Sequence, residues 1–335
     1  MVLFEKICFN NLSALIRIIF VLISEMKIIK NKVLKDLTSF KIGGVADYFV
    51  EIQNLEDFLK FFSWQRNKNL PIFVLGGGTN LLIDNFKGIV LKPEFKYIHN
   101  IGDGILVVGS GILVSELLNY VIDLEYGGLE WAGGLPGTVG GAIVGSVGAF
   151  GGEFKNLVLE VKAINLKTGE EKFFSNKECL FDYRNSFFRQ TNEWLIMEAK
   201  LLFKNKKNKE ELKKISEEKI NFRKLKHPLE YPNAGSIFKN ISFENAPKFV
   251  QQLALDKNKI KNDPFPVIPI AFLISELGLK GKRIGDAQIS EKHPNFIVNL
   301  NNAAFNDVLQ LIDFVKKSIE DNFNLEPEIE IKIVK

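Results

Sequence analysis

Cysteine and histidine are the scarce residues of this 335-residue chain, with two of the first and three of the second. Cys8 and Cys179 form no disulfide framework and no metal-ligand spacing, which fits a reducing, cytoplasmic setting. His99, His227 and His293 are scattered, and neither HExxH nor a paired CxxC occurs, so no metal site is expected. Strong charge is also missing: the net charge of +4 is too small to argue for a nucleic-acid partner. No apolar run reaches the ~20 residues that span a bilayer. The nearest, residues 14–23, is broken by Arg17 and lacks the basic start and small-residue exit of a signal peptide. Residues 1–25 are therefore read as an extension ahead of Met26, the alternative being a weak membrane-surface anchor. Stable membrane insertion is not expected.

Glycine is concentrated instead. Nine glycines fall between Ala132 and Gly152, in GLEWAGGLPGTVGGAIVGSVGAFGGE (128–153). A helix or strand interior loses about 0.5–1 kcal/mol per Gly relative to Ala, so neither is expected here. Leu135, Val139, Ala142, Ile143, Val147 and Phe150 are interleaved, which makes the stretch a buried, tightly turned wall. Such a backbone can press N–H groups against a large flat or anionic ligand; without a ligand it would be a structural corner.

A second signal precedes it. Asn54, followed by Glu56 and Asp57, caps a helix whose Leu55, Phe58, Leu59 and Phe62 share one face. After Pro71 a strand runs into GGGTN (76–80), a nest of N–H donors suited to a pyrophosphate or else a plain hairpin. It is neither a GxGxxG fingerprint nor a P-loop with its Gly-Lys-Ser/Thr. Another strand follows at 81–83. Strands are expected at 89–92, 105–108, 158–165 and 172–174, and helices at 113–124, 271–277 and 306–319. This is an α+β order and not a doubly wound βαβ series.

Three further stretches carry chemistry-bearing side chains. Arg184, among aromatic residues in FDYRNSFF (181–188), is either a surface cation or a fork for a carboxylate. Residues 204–219, rich in Lys and Glu, read as a solvated helix or linker at a domain boundary. Ser236 sits on a sharp turn in HPLEYPNAGSIFKN (227–240) with no Gly-x-Ser-x-Gly and no base in view, so it is a usable proton donor or a cap. In the last strand, 327–333, Glu328, Glu330 and Lys332 alternate with isoleucines, as on a half-exposed edge.

Taken in order, TSFKIGG (38–44), LGGGTNLL (75–82), GLPGTVGGA (134–142), GAFGGE (148–153), YRNSFF (183–188), AGSIFKN (234–240), GLKGKRIGDAQIS (278–290), HPNFIVN (293–299) and LEPEIEI (325–331) resemble the UDP-N-acetylenolpyruvoylglucosamine reductase, or MurB, family from Met26 onward. The resemblance implies a two-lobed FAD-binding domain of the vanillyl-alcohol-oxidase (PCMH) type, with lobes over 26–90 and 91–205. A charged linker helix over 206–225 and a C-terminal α+β substrate domain over 226–335 would follow, the last strand returning toward the first lobe. It implies non-covalent FAD, NADPH as hydride donor, and the enolpyruvyl ether of UDP-N-acetylglucosamine as substrate, with the chain a monomer or weak oligomer of the loop-less subtype. Hydride would pass from reduced FAD to the β-carbon and a proton from Ser236 to the α-carbon, with Arg184 and Glu328 stabilising the enolate-like state. Cofactor contacts are expected at Leu75, Gly76, Gly77, Gly78, Thr79, Asn80, Leu81, Gly134, Pro136, Gly137, Thr138, Gly140, Gly141, Ala142, Ser146, Gly148 and Ala149. Substrate contacts are expected at Lys226, Asn240 and Gln288. The alternative on the same fold is a flavin-dependent oxidase of a sugar or alcohol.

One departure matters most. Relatives usually carry Arg two residues after the catalytic Glu, where this chain has Glu330. Two carboxylates on one strand face raise one another's pKa, so either Glu328 protonates more readily, or Glu330 turns to solvent or pairs with Lys332.

Overall fold

The computed structural model describes residues 26–335, so the extension expected over residues 1–25 lies outside it. Two sheets build the first half. Ile28–Val33, Val45–Ile52, Phe86–Pro93 and Ile72–Val74 pair in that spatial order, the first contact antiparallel and the other two parallel. The helix Leu55–Gln65 covers this sheet and buries Phe58 and Phe61, whereas Leu59, expected on the packed face, is exposed; the Asn54 side chain caps it by accepting from the Asp57 N–H at 2.9 Å, as expected. The second sheet is wholly antiparallel, in the order Glu171–Ser175, Val158–Asn165, Trp194–Leu202, Ile105–Gly109, Ile98–Gly102. Its core includes the buried face of the helix Val114–Asp123, with Leu117, Leu118 and Val121.

The C-terminal part sets a four-stranded antiparallel sheet (Asn233–Ser236, Phe296–Asn299, Ala287–Ile289, Arg283–Ile284) against the helix Phe305–Phe323. That helix repeats Val308, Leu311, Ile312, Val315 and Ile319 on one buried face. Phe40, Ile42 and Leu82 of the first half belong to the same hydrophobic cluster. The entry turn is also bonded there: Ser39 Oγ donates to the Asn233 carbonyl at 2.7 Å, and Asn299 Nδ2 to that of Phe40 at 3.1 Å.

Two elements differ from expectation. The glycine wall contains a short helix, Val139–Val144, despite Gly140 and Gly141. Thr138 caps it, its hydroxyl accepting from the Gly141 N–H at 3.2 Å, and a Cβ on Gly140 would lie 2.9 Å from Ser110 Cβ. The close packing needs glycine and outweighs its low helix propensity. The acidic C-terminal segment is not one half-exposed edge strand. Ile329 first bridges Phe238, with the Lys239 N–H donating to the Glu328 carbonyl and the Glu330 N–H to that of Ile237, both at 2.8 Å. Lys332–Val334 then pairs in parallel with Leu81–Ile83.

The lysine-rich helix, Lys209–Lys226, is solvated on one side only: Leu212, Ser216 and Arg223 are buried. Among the described residues no helix is long and apolar enough to cross a membrane.

Leu82 is fully buried where the two halves meet. Leu82→Ala is expected to destabilise by about 2–5 kcal/mol in urea unfolding, whereas exposed Leu59→Ala should stay within about 0.5 kcal/mol.

Candidate active site

A cavity of about 1710 Å³ opens where the two sheets and the C-terminal part converge. Ordinary ligand pockets hold roughly 300–1,000 Å³, so this one has room for a dinucleotide and a second molecule. Both glycine stretches line it. They touch backbone to backbone: a Cβ on Gly77 would lie 2.8 Å from Gly137 Cα. Gly78, at φ +64°, packs on the entry turn, where a Cβ would meet the Leu37 carbonyl oxygen at 2.0 Å. The GGGTN turn is no hairpin, because Ile72–Val74 and Leu81–Ile83 pair with different strands.

Three features fit an anionic cofactor with a flat ring. Among the described residues, no backbone carbonyl accepts from the N–H groups of Gly76, Gly77, Gly78, Thr79 or Asn80. Such a run of free amides is an anion nest. Ser110 Oγ is buried in the wall without a hydrogen-bond partner. Arg223 is buried with Nε donating to the Gly133 carbonyl at 2.9 Å, and its Nη2 is unpartnered. Burial pushes that guanidinium down from its usual range, a cost that a bound anion offsets.

At the other end of the wall stands Arg184. It has φ +54°, rare for a non-glycine residue, in a turn closed by reciprocal Asp182–Asn185 hydrogen bonds of 3.0 and 3.1 Å. Its Nη2 donates to the Gly148 carbonyl at 2.7 Å; its buried Nε makes no aligned hydrogen bond and stands in an ion pair 3.2 Å from Oε1 of Glu330. Ser186 fastens the turn to the wall by donating to the Val144 carbonyl at 2.8 Å. Ser236 lines the same cavity, presented by Gly235 at φ +80°.

Not all expected site residues gather here. Every expected cofactor contact lines the cavity except Ser146, which is buried behind it. Asn240 lines it, but Lys226 is exposed at a helix end and Gln288 bonds the Gly281 carbonyl at 3.1 Å, neither on the cavity wall. Glu328 lines a separate cavity of about 710 Å³, with Tyr183 and Asn240 forming the partition between the two. Its carboxylate is 70% exposed and paired with Lys239. Glu330 lines the main cavity, as do Glu218, Glu230 and Asp263, and of these it is the one paired with Arg184. It neither turns to solvent nor pairs with Lys332, whose Nζ donates to Asn192 Oδ1 at 3.4 Å.

Residues 227–334 match the model of the UDP-N-acetylenolpyruvoylglucosamine reductase C-terminal domain, and residues 46–174 match an FAD binding domain. A UDP-N-acetylenolpyruvoylglucosamine reductase from Caldanaerobacter subterraneus subsp. tengcongensis is 37% identical over 315 residues, covering 93% of this chain and 95% of the relative. The chain belongs to the UDP-N-acetylenolpyruvoylglucosamine reductase family. The Petrotoga mobilis enzyme of that name is 36% identical, covering 91% of this chain and 94% of its own length. The crystal structure of MurB from Thermus caldophilus superposes with a TM-score of 0.71 at 28% identity, covering 93% of this chain and 99% of that one. The expected α+β, two-lobed flavoprotein fold is thus borne out.

For this MurB-family member, sequence reasoning missed Ser110, Arg223 and the placement of Glu330. Arg223 had a signal, as the one arginine in the lysine-rich run 204–226. Ser110 had none, because only the tertiary packing leaves its hydroxyl unpartnered.

Two predictions follow from this geometry. Gly77→Ala should part the loops and yield folded protein with little bound flavin, read from visible absorbance; full flavin content would refute the nest. His227 on the cavity wall and His293 beside it are packed against Phe296, and burial holds both down at about 4. The unfolded chain takes up their protons near pH 6.5, so their contribution to stability is lost as pH falls from about 6.5 toward 4. The melting temperature should drop over that range, and less steeply in the His227→Phe/His293→Phe variant.

Proposed function

We infer that this chain reduces the enolpyruvyl ether of UDP-N-acetylglucosamine to UDP-N-acetylmuramate in peptidoglycan precursor synthesis, with FAD as resident cofactor and NADPH as electron source. The observation that carries the residue assignments is one cavity holding the amide nest, the glycine wall, Arg184 and Ser236. FAD, once bound and reduced by NADPH, supplies the hydride for the β-carbon of the ether.

The chain's own groups do the rest. The amides of Gly76 to Asn80 would hold the pyrophosphate of the cofactor, and the wall from Gly134 to Ala149 would carry its ring without a covalent link. Arg184 Nη2 is anchored on Gly148, so its guanidinium stands against that wall. From there it balances the negative charge gathering on the α-carbon and carboxylate of the substrate, a charge-assisted contact that strengthens as the charge develops. Ser236 Oγ gives its proton to the α-carbon. Glu328 stabilises the same state only from across the Tyr183–Asn240 partition, so Arg184 and Ser236 carry the chemistry. Among Lys226, Asn240 and Gln288, Asn240 is the substrate contact supported by a place on the wall.

The test uses protein from Met26 onward under anaerobic conditions. After reduction by NADPH, the enolpyruvyl ether should reoxidise the flavin rapidly. Reoxidation by oxygen alone would support the oxidase reading instead. Ser236→Ala should keep its reduction by NADPH and slow reoxidation by about 10²–10⁴-fold; an unchanged rate would remove Ser236 as the proton donor.

A further inference from the structure

Glu330 stands at the crossing of every part of the site. Its carbonyl accepts from Arg189 Nη2 at 2.6 Å and from Asn80 Nδ2 at 3.3 Å, and its N–H donates to the Ile237 carbonyl, next to Ser236. The backbone is thereby tied to the amide nest, to the segment bearing Ser236 and to the helix Phe187–Thr191. The side chain, 19% exposed, lies on the guanidinium that faces the glycine wall. A substrate carboxylate bound by Arg184 would have to share that one cation with a second, half-buried carboxylate. Two carboxylates sharing a desolvated site do not both stay ionised without large cost.

We propose that Glu330 is the positioning residue of this site: ionised, it holds Arg184 through their ion pair with the guanidinium turned to the cavity, and it takes up a proton when the substrate carboxylate engages that guanidinium. The inference rests on the reductase reading above, since it needs an anionic substrate at Arg184. The charged groups facing Glu330 fit both states. Arg184 from the turn, Arg189 from the short helix and Lys239 from the segment after Ser236 favour the carboxylate, while burial, the largest influence, pushes its pKa above the ordinary range. On its own segment, Glu328 is drawn off by Lys239 and Lys332 is occupied by Asn192. The half-buried Tyr183 phenol, between Arg184, Glu330 and Asp263, is pushed up chiefly by desolvation and stays neutral. His227, Glu218, Glu230 and Asp263 also line the wall, and Glu330→Gln separates the uptake at Glu330 from uptake at any of them.

The experiment is calorimetric binding of the enolpyruvyl ether of UDP-N-acetylglucosamine to the oxidised, flavin-loaded protein near pH 7. It is run in two buffers of different ionisation enthalpy. Wild type should take up close to one proton per substrate bound, with affinity falling as pH rises. Glu330→Gln keeps the shape and loses the charge. It should bind substrate with no proton uptake and a flat pH dependence, while His227→Gln should keep the uptake. Glu330→Ala, which leaves Arg184 held only at Gly148, should lose at least tenfold in kcat at unchanged flavin content, and Glu330→Gln should recover most of it. Substrate binding without proton uptake in wild type, or the same uptake in Glu330→Gln, would overturn the proposal. A flavin-loaded protein that binds no substrate would overturn the reductase reading, and the inference with it.

Discussion

The approach of two backbones without side chains between them is the constraint on which the site depends. Gly77 and Gly137 belong to different loops, and a single Cβ at the first would fall within 2.8 Å of the second. Only at that separation do the free amides of the GGGTN turn and the glycine wall face one cavity. Glycine's conformational cost in each loop is offset by what the contact makes possible, a surface of N–H groups close to a flat ligand. Thr138 joins the arrangement by capping a helix that its glycines alone would not sustain.

Charge is distributed around this contact by depth. The two acidic residues of the C-terminal segment share a strand phase, yet one is exposed on Lys239 and the other enclosed with Arg184. Tyr183 and Asn240 stand between the two cavities and keep the carboxylates in different surroundings. The repulsion expected from their spacing is avoided by giving each its own cation. Burial and pairing then oppose one another at Glu330, the balance that makes a carboxylate responsive to a second anion.

Much of this was legible in the chain. The glycine loops, the Asn54 cap, the periodic helices and the turn bearing Ser236 follow from local residue chemistry, and the ordered motifs identify the family. What was not legible depends on contacts between distant segments. The lysine-rich helix read as solvated because charge dominates its composition, yet three residues on one face suffice to dock it and carry Arg223 into the cavity. Period-two alternation assigned the acidic segment to one edge strand, whereas it changes partner midway, from Phe238 to Leu81–Ile83. The same change of partner decides which carboxylate enters the cavity, which no local pattern encodes.

That change of partner also has a consequence in time. Asn80 and Glu330 are hydrogen-bonded although 250 positions apart, and among the described residues Leu81–Ile83 finds its strand partner only in Lys332–Val334. At about 5–20 residues per second of synthesis, the nest-bearing strand waits tens of seconds with its pairing edge open. The first lobe is thus born with an unfilled strand position beside its anion nest, and a cofactor arriving early meets half a site. Completion of the cofactor site is thereby tied to the arrival of the last residues of the chain.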